Sequence, residues 1–280
     1  MSAAAASEAS YVLGSDAIER ARLERQHAIW RDAMLRSWDQ AGFGPGQRLL
    51  DLGCGPGFAS LELAELVGAG GQVLAIDSAP AYLEHLEQQL QQKAIPQLRT
   101  LQHDLASSSE TAPPDLEGGS WDGAWCRWVA MFLPRLEPLL DLVSQALRPG
   151  GRLVLHEYVQ WNTFALHPGG SALARFVERC IQHWRDHGGD PDVAQRLPAL
   201  LEARGFRLLQ SSSLMACSPS DHPKTQWLLD FLSSYPAQLM AAGRWSAAEQ
   251  AALEAELARG QRHASLWVTP ALVELVWERP

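Results

Sequence analysis

Between residues 45 and 160 short apolar runs alternate with longer polar segments of helical character, and that alternation narrows the fold before any motif is considered. Arg48–Leu52, Gln72–Ile76, Leu98–Gln102, Trp121–Cys126 and Arg152–Tyr158 read as strands, with Asp77 closing the second. Phe58–Val67, Pro80–Lys93 and Leu136–Leu147 read as helices, Ser107–Gly119 as a Ser/Pro/Gly-rich loop, and Pro149-Gly150-Gly151 as a tight turn into the fifth strand. Repeated strand–helix units of this length imply a parallel sheet with helices on both faces. Right-handed crossovers then bring every strand's C-terminal end to one edge, where ligands of such sheets bind. The predicted class is α/β.

The flanks are more helical. An Ala/Ser-rich lead is followed by a capping box, Ser15-Asp16 with Glu19, which opens a helix running to Gly42. Leu23, Ile29, Trp30, Met34 and Trp38 give that helix an apolar stripe. Beyond Trp161 the pattern predicts helices over 168–187 and from Asp190-Pro191 to Gly205, then a strand over Phe206–Leu214. Helices over 221–242 and 246–260, the latter capped by Ser246 with Glu249, precede a last strand at Leu272–Trp277. The chain thus divides into a leading helical segment (1–42), a core (43–214), a helical insertion or lid (215–264) and a closing strand of the core (265–280). Trp227, Phe231, Tyr235 and Trp245 are expected on the inner face of the insertion.

Composition removes several classes of function. The 280 residues are 46% apolar and 20% charged, enough for a packed core, and the formal charge is −9 with no cluster of Lys and Arg. Nucleic-acid binding draws its affinity from phosphate contacts and needs such a cluster, so no nucleic-acid partner is expected. Cys54, Cys126, Cys180 and Cys217 lie far apart without zinc spacing, which fits reduced thiols, and no metal is expected. The first residues have neither a basic n-region nor a long apolar h-region, and no segment approaches the ~20 apolar residues of a membrane span. A cytoplasmic protein with no membrane partner is the expectation.

The strongest local signal is Leu49-Leu-Asp-Leu-Gly-Cys-Gly-Pro-Gly57, at the end of the first strand and the start of a helix. Glycines at alternate positions let backbone approach a ligand closely, and the helix that follows presents free N–H groups. A dinucleotide site would carry G-x-G-x-x-G, but Phe58 stands in the third glycine's slot, so the loop is of the G-x-G-x-G form. Asp77 ends the next strand, placed to accept from two ribose hydroxyls. Asp104, in His103-Asp-Leu105, follows the third strand, where an adenine amino group needs an acceptor. Three strand ends converge on one nucleoside-shaped slot.

With these residues in hand, the chain resembles the class I S-adenosylmethionine-dependent methyltransferases, specifically the small-molecule group typified by ubiquinone and menaquinone biosynthesis. Leu49–Gly57, Ala75-Ile-Asp77, His103-Asp-Leu105, Trp121-Asp-Gly-Ala-Trp-Cys-Arg-Trp128 and Leu147-Arg-Pro-Gly-Gly151 carry the likeness, over about residues 45–160. The resemblance implies a Rossmann-like, seven-stranded, mostly parallel sheet whose last strand is antiparallel, with S-adenosyl-L-methionine across the strand ends. It implies that Gly53, Cys54, Gly55 and Gly57 wrap the methionine and ribose, Asp77 holds the ribose, Ser78 flanks the adenine, and Asp104 with Leu105 reads the adenine edge. Asp51 either buttresses the loop and the aminoacyl ammonium or only orients the loop. Arg127 lies against the methionine moiety or pairs with a carboxylate beside the cofactor. The lead-in Tyr11-Val-Leu-Gly14, with Glu19, Arg22, Leu23 and Gln26, is similar to the leading helix of that group and implies cofactor contacts from Tyr11 or Gln26.

Methyl transfer from a sulfonium is an in-line displacement, for which a protein supplies orientation, desolvation and, for a weak nucleophile, a base. His156 and Glu157, at the end of the fifth strand, are the candidate bases; alternation puts them on opposite faces, so at most one sees the acceptor, and for either the favoured reading is a satisfied polar group at a strand end. His167, His183 and His187 lack metal spacing. The fourth-strand sequence departs from the Asn/Asp-Pro-Pro-aromatic pattern of enzymes that methylate exocyclic amines of bases. Of the eleven tryptophans, Trp30, Trp38 and Trp121 fit packing positions, whereas Trp125, Trp128, Trp161 and those after residue 220 wall a cavity or fill a core. The reading is methyl transfer to oxygen or carbon of a small, fairly hydrophobic acceptor, by a monomer or homodimer. The alternative is a protein of the same fold that binds the cofactor without methylating, a repurposed cyclase or binding module.

Overall fold

The computed structural model describes residues 17–107, 113–116, 118–262 and 265–280, so Tyr11, Ser15 and Asp16 lie outside the described residues. A leading helix, α1 (Ala17–Gln40), precedes the alternating region: β1 (Arg48–Leu52), α2 (Phe58–Val67), β2 (Gln72–Asp77), α3 (Pro80–Lys93), β3 (Leu98–Gln102), β4 (Trp121–Arg127), α4 (Glu137–Ala146) and β5 (Leu147–Gln160). The Pro149-Gly150-Gly151 stretch, expected as a turn before β5, lies within it. Gly150 N–H donates to the Arg279 carbonyl at 2.7 Å, and Arg279 N–H donates to the Gly151 carbonyl at 2.9 Å, which holds the stretch in the sheet.

The second half departs from expectation in two places. The helix expected from Asp190-Pro191 is a single 3-10 turn at Val193–Gln195 followed by a short α6 (Leu197–Glu202). Asp190 turns its carboxylate to its own loop, accepting from Asp192 N–H at 3.0 Å, while Asp192 accepts from Trp161 N–H at 2.8 Å. Those bonds tie the segment to the end of β5 instead of starting a helix. A three-stranded sheet also appears, built from β6 (Ala165–His167), β8 (Cys217–Ser218) and β9 (Leu266–Val268). Strands of two or three residues carry too little periodicity to be read from sequence. Between them lie α5 (Ser171–Asp186), β7 (Arg207–Ser213), α7 (Pro223–Ala241) and α8 (Ala247–Arg262). The Ser246 cap of α8 forms, with Ser246 Oγ accepting from Glu249 N–H at 3.2 Å and Glu249 accepting from Ser246 N–H at 2.9 Å.

The main sheet has seven strands in the order β3-β2-β1-β4-β5-β10-β7, where β10 is Ala271–Glu278. β1 to β5 are parallel, and β10 runs antiparallel to both β5 and β7. Alternate residues feed two cores. Ala124, Cys126, Leu153, Leu155 and Leu275 face one with α4 and α5, whereas Trp125, Val154 and Val276 face the other with α2 and Trp38 of α1.

α1 is fastened to the sheet by a buried polar knot. Ser37 Oγ lies 2.7 Å from His156 Nε2 and also donates to the Glu274 carboxylate, which is 3.4 Å from the same ring nitrogen. Burial pushes the His156 pKa down to about 4, so the ring is neutral. Ser37→Ala strips this knot of its hydroxyl and leaves two buried polar groups short of a partner. The expected cost is ~1–3 kcal/mol, read as a lower urea midpoint at unchanged m.

Candidate active site

The C-terminal edge of β1, β2, β3 and β4 opens on a cavity of about 710 Å³. Its floor is the turn from β1 into α2. Gly53 N–H and Cys54 N–H both donate to the Ile76 carbonyl, at 2.8 and 2.9 Å, which fixes the turn against the end of β2. Gly53 has φ +70°, and a Cβ there would stand 2.3 Å from Val129 Cγ2, so only glycine fits. Gly55, at φ +53°, has nothing within 4 Å of where a Cβ would stand, and its backbone lies bare to the cavity. Gly57 does not line the cavity. A Cβ on it would meet Leu86 Cδ1 at 2.5 Å, so its role is to let α3 pack close to the start of α2.

Asp77 accepts from Gly55 N–H at 2.8 Å and from Ala79 N–H at 2.9 Å, which orients its carboxylate at the lip of the turn. Each oxygen keeps a further lone pair for a ligand hydroxyl. Burial raises its pKa. Ser78, Asp104 and Leu105 line the adjoining wall with Tyr82 and His103. Asp51, 2% exposed, accepts from Ser60 Oγ at 2.5 Å; burial raises its pKa to about 6, against the Ser60 bond and the Arg127 charge.

Arg127 ends β4 and also lines the cavity. Its Nη2 donates to His27 Nδ1 at 3.1 Å, and its guanidinium carbon lies 5.6 and 5.2 Å from the ring centroids of Trp125 and Trp128. Burial brings its pKa down to about 10, so it stays charged at neutral pH. Among the described residues no carboxylate lies within ion-pair distance of it. Gln26, from α1, reaches the cavity too, but its Oε1 accepts from Arg22 at 3.0 Å and from Trp227 Nε1 at 2.9 Å. That bond, with the Arg25–Asp230 ion pair at 2.9 Å, joins α1 to α7 over the cavity.

The far half of the cavity is aromatic. Trp128 stacks on Trp227 and Tyr158, with centroids 5.6 and 6.0 Å apart and planes within 15° and 16°. Trp161, Phe164, Trp184 and Phe231 complete the wall. Tyr235, Trp245, Trp267 and Trp277, which the sequence allowed as wall residues, are buried in the core instead, and Trp184 was not foreseen. Trp128 has φ +55°, a left-handed backbone that a bulky side chain rarely adopts.

The two candidate bases are corrected by the structure. His156 is spent on Ser37 and Glu274, and Glu157 is fully buried; neither lines the cavity. Glu157 Oε1 accepts from Val129 N–H at 2.9 Å and Ala130 N–H at 2.8 Å, so its work is to hold the turn that presents Arg127 and Trp128. Burial raises its pKa to about 8. Among the described residues there is no cluster of three metal-ligating side chains, and no helix is long and apolar enough to cross a membrane.

A bare glycine turn, an acid at the end of β2 and a post-β3 loop sharing one cavity are the arrangement of a nucleoside-cofactor enzyme. Residues 49–151 match the family described as a methyltransferase domain. A demethylmenaquinone methyltransferase of Lactococcus lactis subsp. lactis is 31% identical over 48% of this chain and 49% of its own length. A ubiquinone biosynthesis O-methyltransferase of Xanthomonas oryzae pv. oryzae is 31% identical over 50% of this chain and 56% of its own. The chain thus spans about half the length of these curated relatives. A crystal structure of geranyl diphosphate C-methyltransferase from Streptomyces coelicolor shares the fold at a TM-score of 0.58, with 13% identity, covering 94% of this chain and 84% of that one. Residues 49–151 therefore form a domain of the class I S-adenosylmethionine-dependent methyltransferases.

Removing the Glu157 carboxylate should loosen the turn. Glu157→Ala leaves the Val129 and Ala130 N–H groups buried without an acceptor, at ~1–3 kcal/mol each. A fall in thermal midpoint larger than that of Glu157→Gln, which keeps an acceptor oxygen, is the expected result.

Proposed function

We propose that the protein transfers the methyl group of S-adenosyl-L-methionine to oxygen or carbon of a small, fairly hydrophobic acceptor. The observation that carries this reading is the single cavity with two unlike halves: a bare-backbone, carboxylate-rich half at the ends of β1, β2 and β3, and an aromatic half beyond Arg127. The residues fit the cofactor. Asp77 offers lone pairs to ribose hydroxyls, Ser78, Asp104 and Leu105 flank the adenine, and Gly53, Cys54 and Gly55 let the ligand close on the turn. Asp51 and Arg127, one acid and one base on the same wall, suit the ammonium and carboxylate of its amino-acid end. When bound, the cofactor supplies an electrophilic methyl on a sulfonium.

The chain's own residues then orient and desolvate the reactants. Trp128, Tyr158, Trp161 and Trp227 offer flat apolar faces against which a planar acceptor lies, and exclude water from it. The relatives' printed names, a ubiquinone O-methyltransferase and a demethylmenaquinone methyltransferase, agree with such an acceptor. They also weigh against the non-methylating alternative. With neither His156 nor Glu157 facing the cavity, this reading gives alignment and desolvation the larger part in catalysis. α1 from the leading segment and α7 from the insertion roof the cavity, and β10 completes the sheet beneath. A cytoplasmic enzyme acting on small molecules, as monomer or homodimer, fits the acidic charge and the free cysteines.

Calorimetric titration with S-adenosylmethionine, S-adenosylhomocysteine and NADH tests the cofactor first. Micromolar binding of the first two and none of the third is expected, and failure of both adenosyl ligands overturns the reading. Asp77→Ala should weaken both by ~10-fold or more, since two buried hydroxyls lose their acceptor.

A pH series adds a second test. With its pKa at about 6, Asp51 takes up a proton as pH falls below that value and stops attracting an ammonium. Affinity for S-adenosylhomocysteine should fall on acidification from pH 7 to 5, and this fall should flatten in Asp51→Asn.

A further inference from the structure

On α1, His27, Arg31 and Met34 share one face at helical spacing. His27 and Arg31 both reach Glu62 on α2, with His27 Nε2 2.9 Å and Arg31 Nε 2.7 Å from the same oxygen, Oε1. The other ring nitrogen of His27, Nδ1, is 3.1 Å from Arg127 Nη2, and Met34 Sδ lies 3.9 Å from Arg127 Nη1. A guanidinium only donates, so His27 Nδ1 is the acceptor, and Nε2 carries the proton that Glu62 receives. The tautomer is fixed from both sides. With both nitrogens engaged, His27 has no lone pair left for an acceptor's proton, although its ring lines the cavity.

Protonation would set a cationic imidazole against a guanidinium. Burial and the Arg127 charge both lower the His27 pKa, opposed by Glu62, in keeping with a neutral ring. Arg127 itself, on β4, is held by one imidazole nitrogen, a thioether and two indole faces, contacts that fix its direction without neutralising its charge. The acid whose charge acts on it most strongly is Asp51, ahead of Glu62, and Asp51 is tied to Ser60.

We propose that His27, oriented by Glu62, is a positioning residue that aims the Arg127 guanidinium at a carboxylate in the cavity, so that the leading helix reads the amino-acid end of the cofactor through β4. The proposal rests on the cofactor reading above. It assigns α1 a part in binding beyond roofing the cavity, and it requires a carboxylate on the ligand. A nucleoside thioether lacking the amino-acid group gains nothing from this relay.

The test compares two ligands on four proteins: wild type, His27→Ala, Arg127→Ala and the double variant. The ligands are S-adenosylhomocysteine, which has the carboxylate, and 5′-methylthioadenosine, which does not. In His27→Ala the affinity for the first should fall ~5–10-fold while that for the second holds. In Arg127→Ala the first should fall further, and adding His27→Ala should then cost nothing more, because the two act through one contact. His27→Asn, whose side-chain oxygen offers an acceptor near the place of Nδ1, should recover part of the loss.

Equal loss on both ligands in His27→Ala overturns the proposal, because a merely structural helix does not distinguish them. Multiplicative losses in the double variant, or full affinity in His27→Ala, overturn it as well. Should His27→Ala fail to fold, the ligand comparison in His27→Asn and Glu62→Gln decides in its place: a loss confined to S-adenosylhomocysteine in Glu62→Gln supports the relay, and an equal loss on both ligands overturns it. Wild-type protein that binds neither ligand instead fails the cofactor reading itself, before any variant is measured.

Discussion

Two backbone amides, those of Gly53 and Cys54, converge on the carbonyl of Ile76, and through that shared acceptor the end of β1 is tied to the end of β2. The tie sets the turn's height over the sheet, leaving Gly55 N–H to be taken by Asp77 one residue farther along β2. Asp77 is thereby aimed, Asp51 is brought under the turn against Ser60, and α2 starts where its first residues face the cavity. Val129 closes against Gly53 from the β4 side. Parallel pairing supplies the rest of the constraint, because β1, β2 and β4 end together on one edge only if all three run the same way.

The alternating core was legible because β1, β2, β4 and β5 contain compact apolar runs and three of the four connections from β1 to β5, α2, α3 and α4, are helices of ten residues or more, patterns that survive without tertiary context. The glycine turn, Asp77, Asp104 and Arg127 could be placed because strand ends of a parallel sheet are fixed by topology alone. His27 and Glu62 could not. Neither lies at a strand end, and they matter only through a contact between α1 and α2 that no local spacing announces. The reverse error, reading His156 and Glu157 as bases, has the same origin. Sequence puts them at the right height on β5, but the partners that occupy them, Ser37 and Glu274 for one and the Val129–Ala130 backbone for the other, come from distant elements. Tryptophan is ambiguous for a related reason: Trp227 walls the cavity and Trp245, from the same insertion, fills the core, and nothing in their immediate neighbours distinguishes them.

α1 works at both ends. Near its C-terminus Ser37 is locked into the sheet beside His156 and Glu274, and about three turns earlier Gln26 and His27 meet α7 and Arg127. A helix anchored at one end and engaged with the cavity at the other holds its polar side chains in register with strands it never pairs with. α7 depends on it in turn, since Trp227 stacks on Trp128 while its indole N–H is held by Gln26. The aromatic wall therefore draws on α1, β4, β5 and α7 at once.

The position of β10 bears on how such a chain comes to be folded. This strand lies between β5 and β7 in space yet follows both in sequence, with α7 and α8 intervening. β7 has no other neighbour in the sheet, so during synthesis it waits with both edges unpaired while two helices are made. Sheet closure is then a long-range event, joining Glu274 to Ser37 across 237 positions, and such pairings are entropically costly and slow to nucleate. β1 to β5 close over shorter separations, the widest being that of β1 with β4 at Leu49 and Gly123, whereas the knot that seats α1 is complete only once β10 has been inserted. The cavity's roof, resting on α1, is thus among the last parts of the molecule to find its place.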